Sequence, residues 1–297
     1  MSEQRLGNWM AAISFFLWGI LPLYYRFLPN AAMDELLAVR LLASIPCGLI
    51  IVLAVTKTWP KWRTIWADKY SLKLTFIGSL MMSISWTAFI WALTNDRVID
   101  ASLGFFISPL MMSALGVFVL GETLSSGKKV ALFLAAIGLS YQVVQYGQVP
   151  VIALMMAIFF TLYGWCKKKI RYDWSTCLFM EAVVMLPIAL GYLLYKESTI
   201  GTESLHQGWD TFALYFGAAP ATLIPLVFYS IAIRLTTMST VGLMQYIEPS
   251  IQFFIAIFLF GEIFDDVKLV SFSFIWAGLL FTVLETMRSR YKLHRSQ

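Results

Sequence analysis

The chain has 297 residues, of which 59% are hydrophobic and only 13% charged. Soluble domains carry about 25% charged residues, so this chain lacks the polar surface that a soluble protein of its size needs, and its mean hydropathy of +0.74 agrees. The formal charge of +5 does not point to nucleic acid, because the basic residues form short clusters between apolar runs instead of lining one face.

A helix needs about 20 apolar residues to cross the hydrocarbon core. Ten such runs are readable, at 8–28, 36–56, 72–93, 101–121, 129–146, 150–166, 176–195, 212–234, 240–260 and 268–286. The first, apolar from Trp9 to Leu28, is too long for the hydrophobic region of a cleavable signal peptide. The fifth and sixth are separated only by Gly147, Gln148 and Val149 before Pro150, which forces an antiparallel pair. Cys47, Cys166 and Cys177 lack metal-type spacing and are expected to pack as free thiols.

Lys and Arg orient the runs, since cytoplasmic loops carry the excess of both. With the N-terminus inside, 17 of them fall on the inner side and 4 (Arg26, Arg97, Lys196 and Lys268) on the outer side, with Arg40 inside a span. Both termini are therefore expected in the cytoplasm of a bacterial cell whose inner membrane the chain crosses repeatedly.

The chain also repeats itself at an offset of about 140 residues. Ala101–Pro109 followed by Gly121-Glu122 matches Val241–Pro249 followed by Gly261-Glu262, with 12 residues from Pro to Gly in each. Gly138 matches Gly278, Trp18-Gly19 resembles Tyr163-Gly164, and Arg40 to Pro46 matches Glu181 to Pro187. The expected domains are thus two repeats, 1–147 and 148–297, with five helices each. Five is odd, so the second repeat enters the membrane upside down. Inverted repeats are a recurrent build of secondary transporters, with the substrate near the midplane between the halves.

The stretch Phe89-Ile90-Trp91-Ala92, Arg97-Val98, Ala101-Ser102-Leu103-Gly104, Pro109-Leu110, Leu120-Gly121-Glu122 resembles the RarD-type permeases, EamA-domain members of the drug/metabolite transporter superfamily. Ser239-Thr240, Gln245-Tyr246-Ile247, Pro249, Gln252-Phe253, Gly261-Glu262 and Phe274-Ile275-Trp276 extend the resemblance over the second half. It implies the drug/metabolite transporter fold, an all-α integral membrane protein of ten helices in two inverted repeats. It also implies an exporter of a metabolite or small amphipathic compound. Val39, Ser108 and Glu248 stand where the family pattern usually has His, often Asn, and usually a small apolar residue, respectively.

Charged groups in hydrocarbon are costly and usually serve a pathway or a pair. Arg40 and Glu181 each lie about 7 Å inside a helix end, at 1.5 Å per residue, and Glu248 lies near the middle of the ninth run. Gln245, Glu248 and Gln252 are spaced to share one face of that run, which makes either a solute or proton path or an interhelical clamp. Arg40 and Glu248 are expected to face a shared cavity. There Arg40 would hold a carboxylate or pair structurally, and Glu248 would take up a proton or a cationic group.

Trp18, Trp86, Trp91 and Tyr246 either line that cavity or pack between helices, whereas Trp59, Trp62, Trp66 and Tyr70 suit the interface. Pro109 and Pro249 remove helix hydrogen bonds, as hinges, as sources of freed carbonyls that coordinate solute, or as packing kinks. The Gly-Glu pairs suit helix C-caps.

His206 and His294 are the only histidines, and no HExxH or P-loop pattern occurs. The expectation is therefore neither enzyme nor ATP-driven pump, with no cofactor and no metal. The expected partners are a small-molecule substrate, the lipid bilayer and protons, with the chain a monomer or homodimer. A channel, sensor or scaffold is the alternative.

Overall fold

A computed structural model describes residues 2–28, 31–95, 98–147, 151–259, 261 and 266–295. These described residues form thirteen helices. In chain order they are α1 (Glu3–Tyr25), α2 (Met33–Thr56), α3 (Trp62–Ala67), α4 (Lys69–Thr94), α5 (Val98–Phe118), α6 (Ser126–Tyr146), α7 (Val151–Lys169), α8 (Trp174–Thr199), α9 (Glu203–His206), α10 (Trp209–Leu235), α11 (Met238–Gln245), α12 (Ile247–Phe258) and α13 (Asp266–Arg295). With α11 and α12 counted as one interrupted span, ten spans among the described residues are long and apolar enough to cross a membrane. Only helices and closed barrels satisfy every backbone group in hydrocarbon. The short α3 and α9 lie in loops where no helix was expected.

The helices begin where side chains replace the missing backbone partners. Asp68 accepts from the Ser71 amide at 3.1 Å and caps α4, and Asp173 accepts from Ser175 and Thr176 at 3.0 and 2.9 Å and caps α8. The bonds from Ser71 hold the Asp68 carboxyl below its ordinary range. At the end of α5, Gly121 adopts φ +68° and the Glu122 amide returns to the Gly116 carbonyl at 3.0 Å, closing the turn that the Gly-Glu pair suggested. Gly261 has φ +66°, while its neighbour Glu262 lies outside the described residues, as do Arg97, Gln148, Val149 and Pro150.

The helix contacts obey the inverted repeat. Exchanging α1 with α7, α2 with α8, α4 with α10, α5 with α11–α12 and α6 with α13 turns the α4·α7 contact into α10·α1, and α5·α7 into the contacts of α11 and α12 with α1. The α2·α8, α5·α11 and α6·α13 contacts map onto themselves. Phe118 and Phe258, repeat partners, are 86% and 75% exposed on the apolar outer surface, as a lipid-facing position allows.

The ninth span carries a one-residue interruption at Tyr246, between α11 and α12, where the backbone stays right-handed helical (φ −64°, ψ −13°). Pro249 has no N–H for the Gln245 carbonyl, and its ring crowds that carbonyl. Pro109, its repeat partner, leaves α5 continuous.

Candidate functional site

A cavity of about 70 Å³ lies between the two halves. Its walls come from α1, α2 and α4 of the first half and from α7, α8 and α10, their repeat partners, of the second. Helical spacing places the lining: Leu37, Arg40, Leu41 and Ser44 occupy one face of α2, and Leu178, Glu181, Ala182 and Met185 one face of α8. Ser79, Met82, Ser83 and Trp86 do the same on α4. Arg40 and Glu181, a cation and an acid at matching places in the two repeats, thus share one chamber.

Their surroundings differ. The Arg40 guanidinium stacks over the Trp86 ring at 4.3 Å, and the Tyr25 phenol is the polar group beside it. Among the described residues no carboxylate lies within ion-pair distance of Arg40. Glu181, by contrast, is fully engaged. Its Oε1 binds the Lys167 ammonium at 2.6 Å and accepts from the Cys177 thiol at 3.4 Å, while Oε2 accepts from the Tyr163 hydroxyl at 3.1 Å. Lys167 also sits 5.1 Å from the Tyr163 ring centroid. It is completely buried, whereas the Glu181 side chain keeps 14% exposure.

Behind the cavity wall, Tyr229 lies 5.6 Å from the Trp18 ring and stacks at 6.1 Å on Tyr163, which itself lines the cavity.

Of the residues singled out from the sequence, the cavity brings together Arg40, Glu181, Trp18 and Trp86. The expected meeting of Arg40 with Glu248 does not occur on this wall; Glu181 is the acid opposite Arg40. Glu248 instead accepts from Gln252 at 3.4 Å, one turn along α12. Gln245 and Tyr246 are buried between α11 and α5, donating to Ser108 Oγ and to the Phe106 carbonyl, each at 3.1 Å. Trp91 is 42% exposed near the end of α4. Among the described residues no three His, Cys, Asp or Glu side chains gather as a metal site would require.

Lys167 and Tyr163 were not among the expected site residues. Lys167 falls just past the sixth apolar run and reads as one of a cytoplasmic lysine triplet. The signal that separates it from Lys168 and Lys169 is its spacing of four from Tyr163, which puts it on the core face of α7.

Comparison with known proteins now adds the lineage. The model of the EamA-like transporter family matches residues 5–143 and again 149–284. The chain belongs to the EamA-like transporter family. Among its relatives are an "Uncharacterized transporter" of Vibrio cholerae serotype O1, 31% identical over 99% of this chain and 97% of its own, and the "Uncharacterized transporter YojE" of Bacillus subtilis, 34% identical over 94% of each. The "Protein RarD" of Escherichia coli K12 is 30% identical over 96% of each chain. A crystal structure of a protein only 14% identical superposes with a TM-score of 0.73, covering 95% of this chain and 99% of its own, and shows the shared fold. This EamA-like chain is a multi-pass membrane transporter whose halves are inverted repeats, each matched by its own copy of the family model.

Proposed function

We propose that the chain is a secondary carrier of the bacterial inner membrane that moves a small organic solute through the central cavity by alternating access. Both termini lie in the cytoplasm, and export is the direction the family resemblance implies. The observation that carries this reading is the cavity itself, walled by three helices of one repeat and their three counterparts of the other. If the two repeats exchange their slightly different conformations, the same chamber opens to the opposite side, with no new fold required.

Trp18, Trp86, Arg40 and Glu181 contact the solute, while the Gln245–Ser108 and Tyr246–Phe106 bonds clamp the α5–α11 crossing that moves with it. Pro109 and Pro249 act at that crossing as the points where the helices flex.

The test is counterflow in proteoliposomes loaded with one labelled solute at a time, from a panel of organic acids, amino acids and amines. A carrier accumulates label transiently against an unlabelled pool, and its flux saturates. Flux that rises linearly with concentration and shows no counterflow would mean a channel.

A further inference from the structure

The charges around the cavity do not balance, and the imbalance has a sign. Glu181 is already neutralised by Lys167 at 2.6 Å, and both its oxygens accept further bonds from Cys177 and Tyr163. Lys167 is wholly buried, so a substrate ammonium that took its place on Glu181 would strand an unpaired charge inside the bundle. Arg40 is the opposite case. It is 91% buried, as its 9% exposure shows, and lines the cavity, where the Trp86 face and the hydrogen-bonded Tyr25 phenol are its partners among the described residues. A guanidinium offers five N–H donors in a planar fork that matches a carboxylate. Stacking on Trp86 fixes the plane of that fork, and the single Tyr25 phenol oxygen meets only part of its five-donor edge. The Ser79 hydroxyl, on the same wall, is buried without a hydrogen-bond partner among the described residues.

We propose, resting on the carrier reading above, that the transported solute is a small organic monoanion, with its carboxylate on the Arg40 fork and its apolar body among Trp18, Met82, Trp86 and Leu226. One uncompensated cation accommodates one negative charge. A cation meets net repulsion. A zwitterion has no free acid for its ammonium. A dianion brings a charge that nothing on the wall offsets.

The test compares three probes with the same phenyl frame and different charge: 3-phenylpropionate, phenylalanine and phenethylamine. Binding to the purified full-length chain in nanodiscs is read by quenching of tryptophan fluorescence. The expected result is that 3-phenylpropionate binds at least about tenfold more tightly than either of the others, as loss of a bidentate charged contact implies. Arg40→Gln should abolish that preference, while Arg40→Lys keeps the charge, loses the fork and retains only part of it. A thermal melt of each variant establishes that it is folded.

Equal binding of the amine or the zwitterion, no binding of 3-phenylpropionate at millimolar concentration, or an Arg40→Gln variant that still prefers the anion overturns the proposal. Counterflow separates the two readings. Arg40-dependent anion binding without counterflow would sink the carrier and leave the anion site standing. Counterflow of solutes without regard to charge would do the reverse.

Discussion

Lys167 and Glu181 form an ion pair whose two members are not equally dependent on each other. Lys167 has no exposure, and its other neighbours are the Tyr163 ring and the Cys177 sulfur. Glu181 keeps 14% exposure to the cavity and two further donors. Breaking a buried pair by removing one partner costs about 3–5 kcal/mol, chiefly because the other charge is left uncompensated. Glu181→Gln should therefore destabilise by that order and Lys167→Met by distinctly less. The double variant Lys167→Met/Glu181→Leu should return close to the parent, since apolar replacement of a buried pair is often neutral. Melting temperatures in one detergent check the order, and a Glu181→Gln protein that melts with the parent would remove the pair from the stability account. Arg40 and Glu181 were legible in the sequence because a charge inside an apolar run is rare. Lys167 was not, because a lysine at a helix end normally reaches water along its stem, and only tertiary packing shows that this one turns inward.

At the scale of elements, the apolar runs located every span, and the differences lie at ends and breaks. The first span begins at Glu3, not at residue 8, because the helix continues through polar residues beyond the hydrocarbon. The ninth run, continuous in hydropathy, divides at Tyr246 because Pro249 acts on backbone hydrogen bonds, to which hydropathy is blind. The repeat was legible in its glycines, and their reason is contact distance. A Cβ on Gly138 would lie 2.8 Å from the Ser271 carbonyl oxygen, and one on Gly278 would lie 2.8 Å from the Ala131 Cα. These positions pair by the same offset and bring α6 and α13 to backbone contact, the way small residues let membrane helices approach. Gly191 has nothing within 4 Å of its added Cβ. Gly138→Ala and Gly278→Ala should each destabilise by about 1–3 kcal/mol through overpacking. Gly191→Ala should be neutral or stabilise by up to about 1 kcal/mol from helix propensity. Thermal melts of the three variants decide. Equal effects at all three sites would show that backbone approach is not what holds α6 against α13.

For the whole molecule, the alternating access proposed above requires that each end of the cavity be held by bonds that can part. At the end the lysine and arginine distribution assigns to the outside, Lys196 reaches Asp34 at 3.0 Å and Glu35 at 3.3 Å, while Glu35 accepts the amides of Glu203 and Ser204 at 3.0 and 2.7 Å. Tyr192 also donates to Asp34. These bonds tie the start of α2 to the end of α8 and to α9. At the other end, Glu122 accepts the amides of Met238 and Ser239 at 2.6 and 2.9 Å, joining the end of α5 to the start of α11. Glu35→Ala removes one acceptor of the buried Lys196 and leaves two amides unpaired, so it should favour the state open to the outside. Glu122→Ala should favour the opposite state by the same logic, since whatever weakens one end shifts population toward the state that opens it. A reporter Ser44→Cys on the cavity wall, with Cys47, Cys166 and Cys177 replaced, reads both through its rate of reaction with a membrane-impermeant maleimide added to whole cells. The rate should rise severalfold with Glu35→Ala and fall with Glu122→Ala. If Glu122→Ala speeds it and Glu35→Ala slows it, the chain sits in the membrane the other way up; if neither changes it, these bonds do not govern which side the cavity faces.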